Sequence, residues 1–216
     1  MKLHLGCGEN YLKGYINIDF SSKKHTLQKK SVADIFEDIT QLSYPASSID
    51  EIRLHHVFEH FTRPIACGLL VGWRSWLKPK GILHIEVPDF QRTSFNILNP
   101  FTSHHLKTVA LRHLFGSHEA PWAIHYEGWT INHLKKLLKN LGFEISKIKR
   151  NSWKGTYNFE IIALKNKTTL SKDDLEKTVK RFLSDYLIDS SQNELDLLNI
   201  WMNKYRAQVD KCWGDN

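Results

Sequence analysis

The chain has 216 residues, of which 41% are hydrophobic and 25% charged, and its formal net charge is +7. That length and apolar content suit one α/β domain with a full core plus an appendage, and no apolar run reaches the ~18 residues of a membrane-spanning helix. Cys7, Cys67 and Cys212 are odd in number and widely spaced, which excludes a disulfide framework and any CxxC metal site.

Charge is unevenly distributed. Residues 1–165 carry 22 basic against 14 acidic side chains, whereas residues 166–216 carry 8 against 9. An excess of this kind favours an anionic acceptor or nucleic acid, and a soluble basic surface explains it equally well. No basic run with interleaved aromatics stands out as an RNA platform, so a nucleic-acid partner is not favoured. The chain enters a strand at once, without the apolar region of a signal peptide, and a reducing, cytoplasmic location is expected.

Leu3, His4 and Leu5 read as a short first strand, broken by Gly6-Cys7-Gly8. Glycines there permit a sharp turn and close approach of a ligand to the backbone. A second strand, Tyr15-Ile-Asn-Ile, ends on the carboxylate of Asp19. Strand, glycine turn, strand and acid is the logic of a nucleoside site, in which the acid accepts hydrogen bonds from ribose hydroxyls. The third glycine of a dinucleotide fingerprint is absent, and Glu9 would repel a pyrophosphate at this turn. The expected ligand therefore carries a ribose and little or no phosphate.

At these residues the chain resembles the class I S-adenosylmethionine-dependent methyltransferases, in which L-x-L-G-C-G forms the first βα turn. The resemblance implies a Rossmann-like, doubly wound seven-stranded sheet with an antiparallel last strand. It also implies S-adenosylmethionine as cofactor, with Leu5, Gly6, Cys7, Gly8, Asn10 and Asp19 at its site. Ser21–Lys30 is polar and lysine-rich and is expected to loop out. Val32–Phe36 reads as a third strand followed by Glu37-Asp38-Ile39-Thr40. In the family the acid after this strand bonds the adenine amino group, which implies Asp38 with Ile39 beside it, and leaves Glu37 and Asp34 as rivals.

Ile49–Leu54 reads as a fourth strand running into His55-His56-Val57-Phe58-Glu59-His60, similar to the family's H-V-x-E-H box. Residues at strand carboxyl ends face the ligand crevice in such sheets, so His55 is expected at the cofactor and His56 as a candidate catalytic base. No metal is expected: a zinc reading of His55, His56 and His60 lacks a Cys or carboxylate at ligand spacing. Pro64–Leu77 has helical periodicity, Lys78–Gly81 reads as a turn, and Ile82–Asp89 as strand five. This segment is similar to the family's L-K-P-G-G entry to strand five.

From Phe90 to Thr130 the periodicity weakens, and five of the twelve histidines lie here. In this fold the segment commonly covers the acceptor. His125-Tyr126-Glu127-Gly128-Trp129-Thr130 resembles a box in a bacterial subgroup of small methyltransferases associated with sugar and envelope pathways, which implies His125 as a general base; a buried structural histidine is the competing reading. Thr130 should cap a helix over Ile131–Asn140, Gly142 should end it, and Phe143–Lys149 and Tyr157–Leu164 should form a hairpin.

The resemblance ends near residue 165. Residues 166–216 read as a separate extension of two amphipathic helices, Leu170–Leu187 and Glu194–Gln208. Relatives often carry N-terminal helices over the acceptor site that this chain lacks, so a lid or a homodimer contact is expected of the tail. The functional expectation is methyl transfer to an O or N atom of a small polar acceptor, such as a sugar or glycoconjugate. A nucleic-acid or protein methyltransferase, an aminopropyl-type transferase and a non-catalytic donor-binding scaffold remain as alternatives.

Overall fold

The computed structural model describes residues 1–21, 30, 32–166 and 168–213. Seven strands form one sheet in the order β3-β2-β1-β4-β5-β7-β6. They are β1 (Lys2–Leu5), β2 (Ile16–Asp19), β3 (Ile35–Phe36), β4 (Ile49–His55), β5 (Leu77–Pro88), β6 (Phe143–Trp153) and β7 (Thr156–Lys165). Only β7 runs against its neighbours: it pairs antiparallel with both β5 and β6. The strand order reverses between β1 and β4, which opens a crevice at their carboxyl ends.

Six helices accompany the sheet: α1 (Arg63–Trp76), α2 (Phe90–Leu98), α3 (His104–Phe115), α4 (Ile131–Asn140), α5 (Lys172–Ser184) and α6 (Gln192–Cys212). Strand side chains alternate between faces. Leu3, Leu5, Ile18, Ile52, Leu54 and Ile85 point to one face and share a core with α1, α4, α5 and α6. The alternate residues His4, Asn17, Arg53, His55 and His84 form a polar face; the register places His4 beside Asn17 and Arg53, and Arg53 beside His84. No helix connects β1 to β2; residues 6–15 form a loop whose Leu12 and Tyr15 carbonyls accept from the Asn17 amide.

Several expected boundaries move. The third strand shortens to Ile35–Phe36, because Asp34 leaves the ladder to accept hydrogen bonds from the Asn17 backbone and side chain. Strand five begins at Leu77, and the expected turn Lys78–Gly81 is a bulge within it, where pairing steps from Ile49–Leu77 to Glu51–Ile82. The weakly periodic 90–130 segment contains two helices, each capped by a side chain: Asp89 for α2 and Ser103 for α3. The expected loop at Ser21–Lys30 lies almost wholly outside the described residues.

The expected helix caps hold elsewhere. Thr130 accepts from the backbone of His133, and Ser171 forms a reciprocal capping box with Asp174. Gly142 ends α4 at a φ of +79°, a left-handed conformation that favours glycine.

The C-terminal helices are part of the main core. Leu198, Met202, Tyr205 and Val209 of α6 are buried with α1 and α5. Gly68 and Gly72 let α6 approach α1 closely: a Cβ on Gly68 would lie 2.7 Å from the Gln208 Cβ, and one on Gly72 would overlap the Cys212 thiol. The indole N–H of Trp76 donates to the Cys212 carbonyl. Much of the apolar stripe on α6 is thus covered within the molecule, whereas Leu195 and Ile200 remain exposed. Among the described residues, no helix is long and apolar enough to cross a membrane.

This packing reverses the usual sign of a glycine-to-alanine change inside a helix. Propensity alone favours Gly72→Ala by about 1 kcal/mol, but overpacking against Cys212 costs roughly 1–3 kcal/mol. Calorimetry should show a lowered Tm; an unchanged or raised Tm would mean that α1 and α6 do not meet as closely as described.

Candidate functional site

Two adjoining cavities open at the carboxyl ends of the central strands. The smaller, of about 320 Å³, lies over the turn after β1 and reaches the ends of β2 and β4. The larger, of about 910 Å³, lies between the end of β5, the β6–β7 hairpin and α3. Both fall within or near the ~300–1,000 Å³ range of small-molecule sites. His56, His60 and Trp122 line both and form the boundary between them.

The smaller cavity is built by the Asp19 carboxylate. Its Oδ2 accepts from the Gly8 backbone N–H, and its Oδ1 accepts from the Phe20 N–H at 2.7 Å. Gly6 and Cys7 both donate to the Ile18 carbonyl, so the turn is tied to β2 at successive residues. Gly6 has φ +66°, and a Cβ there would overlap Val57. Gly8 has φ +56° with open space where a Cβ would be, which leaves its backbone accessible to a ligand. Asp19 lines the cavity, and an ionised carboxylate there presents only hydrogen-bond acceptors.

Across the cavity, Asp38 caps the 3₁₀ turn Ile39–Gln41 by accepting from the Thr40 N–H and hydroxyl, both at 2.8 Å. Glu37, Asp38, Ile39 and Thr40 all line the cavity, whereas Asp34 is held by Asn17 and does not. The geometry thus leaves Asp38 and Glu37 as the acids at this wall. Gln208 of α6 donates to the Thr40 carbonyl at 2.9 Å and so braces the wall from behind.

Five of the nine expected cofactor residues, Gly6, Gly8, Asp19, Asp38 and Ile39, line this cavity. Leu5 is fully buried in the core, and Cys7 is buried below the turn, where burial first and Asp19 second push its thiol up to about 12. Asn10 is exposed, with its N–H on the Cys7 carbonyl. His55 belongs to the polar sheet face: Arg53 Nε donates to its Nε2 at 2.9 Å, and its ring meets those of His4 and His84. Burial, then Arg53, lowers His55 to about 4. It lines neither of the two cavities.

His56 does face the crevice. The reason is local: its φ is +54°, uncommon for a non-glycine residue, and this reverses the strand alternation. Its Nδ1 lies 3.4 Å from Glu59 and its Nε2 3.2 Å from Glu86. Burial acts to lower its pKa, but the two carboxylates outweigh burial and raise it to about 10. The ring is thus an imidazolium at neutral pH and has no lone pair with which to accept a proton.

Glu86 also accepts from Asn151, whose oxygen accepts from Asn158, and Asn158 in turn meets His113 at 2.8 Å. This chain of polar contacts fixes the wall of the larger cavity. His125 lines that cavity, but burial, opposed by Glu59, lowers it to about 4. It is neutral and weakly basic. Neither expected base therefore has the near-neutral pKa that suits general-base catalysis.

Sequence reasoning placed Glu59 and His60 in the box after strand four without a role at the site, and it did not bring Trp122 or Gln208 there. Glu59 is fully buried beneath the boundary, and burial would raise its pKa, but His56, His60 and His125 hold it low. The Glu59 carbonyl accepts from the N–H groups of Tyr126 and Glu127, which brings His125 to residues 59–60. A separation of more than sixty residues hides that contact from any local pattern.

No family model matches the chain, and no curated protein matches it. Solved structures do. A SAM-dependent methyltransferase from Methanosarcina mazei is 20% identical with a TM-score of 0.50, covering 76% of this chain and 92% of that one. A SAM-dependent methyltransferase from Archaeoglobus fulgidus is 18% identical with a TM-score of 0.51, covering 76% and 85%. The 1,6-didemethyltoxoflavin-N1-methyltransferase of Burkholderia thailandensis, solved with its substrate and S-adenosylhomocysteine, is 14% identical with a TM-score of 0.51, covering 76% and 70%. The chain has the fold of these methyltransferases.

The brace on the smaller cavity has a measurable consequence. Gln208→Leu removes the donor to the Thr40 carbonyl and should cost about 1 kcal/mol. Hydrogen exchange should quicken at residues 39–41, with α1 unaffected. Unchanged exchange at 39–41 would show that α6 does not support this wall.

Proposed function

We propose that this chain is an S-adenosylmethionine-dependent methyltransferase that acts on an oxygen or nitrogen of a small polar acceptor, with sugars and glycoconjugates as the first class to test. The observation that carries the reading is the Asp19 carboxylate at the tip of β2, held by the glycine turn and facing the smaller cavity. A carboxylate in that position suits a ribose diol. Asp38 and Glu37 on the opposite wall suit the adenine amino group, and Ile39 provides an apolar contact for the base. The expectation of a ligand with little or no phosphate fits as well, since Asp19, Glu37 and Asp38 wall the cavity and, among the described residues, no Lys or Arg lines it.

The chemistry asks little of the donor side. A sulfonium leaves as a neutral thioether, so the protein must align donor and acceptor and exclude water. With the adenosine between Asp19 and Asp38, the methyl group would point toward His56, His60 and Trp122. The acceptor would then lie in the larger cavity. His56 is charged there, and Arg112 and Lys154 also line it. These groups would orient an anionic or hydroxyl-bearing acceptor. His56 is better suited to that electrostatic role than to proton abstraction, and an amine or already ionised acceptor would need no base.

Residues 1–165 supply the lining of both cavities, and Gln208 of the C-terminal extension braces the donor wall. A nucleic-acid or protein acceptor would draw on the positive charge of residues 1–165, but the recessed larger cavity favours a small molecule.

Calorimetric titration with S-adenosylhomocysteine tests the reading. The wild type should bind one equivalent, and Asp19→Ala should weaken binding about tenfold or more, as expected for losing hydrogen bonds to a charged group. Absence of binding to the folded wild type, or equal affinity in the variant, would contradict it.

A further inference from the structure

We propose that Glu59, His60 and His125 form a binding site for a divalent transition-metal ion at the boundary between the two cavities. One ligand atom from each of the three side chains lies within 4.8 Å of the others. The set combines one carboxylate and two imidazoles. Such ligands suit zinc and its first-row neighbours, whereas magnesium and calcium take oxygen ligands.

The independent observation is the state of Glu59. This side chain is 1% exposed, and neither carboxylate oxygen has a hydrogen-bond partner. Only histidines face it at longer range: His56 at 3.4 Å and His125 at 3.9 Å. The ion pair with His56 partly offsets the burial of this charge, but both oxygens lack a hydrogen bond, and a buried carboxylate in that state is costly unless a further partner such as a metal ion meets it. His125 adds a second orphan, since its Nδ1 is buried and unpartnered.

The surroundings orient the ligands. His60 Nδ1 lies 3.1 Å from the Ile124 carbonyl. A carbonyl can only accept, so Nδ1 carries the proton and Nε2 keeps its lone pair. A second-shell carbonyl of this kind commonly fixes the tautomer of a metal-binding histidine. The backbone bonds from Tyr126 and Glu127 to the Glu59 carbonyl hold the two segments together. The His60 and His125 rings then meet edge to face at 4.6 Å. No such arrangement follows from His55, His56 and His60, because His55 lies on the polar face of the sheet.

His60 and His125 both line the larger cavity, so an ion held there would keep coordination positions open toward it. On the methyl-transfer reading, on which this role alone rests, those positions would receive an oxygen of the acceptor. Ion binding itself is independent of that reading.

The test uses the full chain stripped of metal. Titration with Co²⁺ should give one equivalent of bound ion with visible ligand-field absorption, and Zn²⁺ should displace it. Glu59→Gln and His125→Asn should each weaken binding ~10-fold or more. His105→Ala, which alters the same cavity outside the cluster, should leave it unchanged. Circular dichroism and thermal melting of the same variants report whether each is folded; if Glu59→Gln does not fold, His125→Asn decides. No stoichiometric uptake by the wild type, or wild-type affinity in the folded variants, overturns the site. Metal binding without S-adenosylhomocysteine binding would sustain the site and overturn only the methyltransferase reading.

Discussion

The structure depends on one short contact set at the start of the chain, in which the Asp19 carboxylate holds the backbone N–H groups of Gly8 and Phe20. With no helix between β1 and β2, the ten-residue connection is held by side chains of β2: Asn17 bonds Leu12 and Tyr15, and the Asp19 carboxylate holds its glycine end. The carboxylate draws the glycine turn onto the end of β2, and the same turn forms the floor of the smaller cavity. On the proposed reading, a ligand would meet a carboxylate already fixed in place by these contacts.

Electrostatics then divide the crevice. One side is walled by Asp19, Asp38 and Glu37. The other carries Arg112, Lys154 and a cluster of histidines. His56 stands between them, fixed as a cation by Glu59 and Glu86. A positive donor held among acids and an electron-rich acceptor held among cations would approach along this gradient. The C-terminal helices contribute from a distance: α6 fills the gap behind the 3₁₀ turn and, through Gln208, sets the position of the donor wall.

Much of this was legible in the sequence because it is local. Most strands are visible from alternation and glycine turns, the sheet's topology was implied by the family resemblance, and the caps at Thr130 and Ser171 follow from residue type. Asp19, Gly6 and Gly8 sit where short-range logic places them. The errors have equally specific causes. Leu5 and Cys7 alternate into the core, and His55 alternates onto the polar face; only the positive φ of His56 turns the next residue into the crevice, and a histidine does not announce such a conformation as a glycine does. Glu59 with His125, and Gln208 with Thr40, are joined across 66 and 168 positions of the chain. Nothing in a single sequence without long-range pairing information reveals them. The amphipathic stripe of α6 was legible, but its partner was not, because a buried stripe and an interface stripe look alike until packing is known.

The central claim is that the smaller cavity holds an adenosine and presents its sulfur to the boundary at His56 and His60. A crystal structure of the complex with S-adenosylhomocysteine tests it most directly. The account predicts the ribose hydroxyls on Asp19, the adenine beside Asp38 and Ile39, and the sulfur facing the larger cavity. Ligand density elsewhere, or an adenosine lying with its ribose away from Asp19, would contradict it.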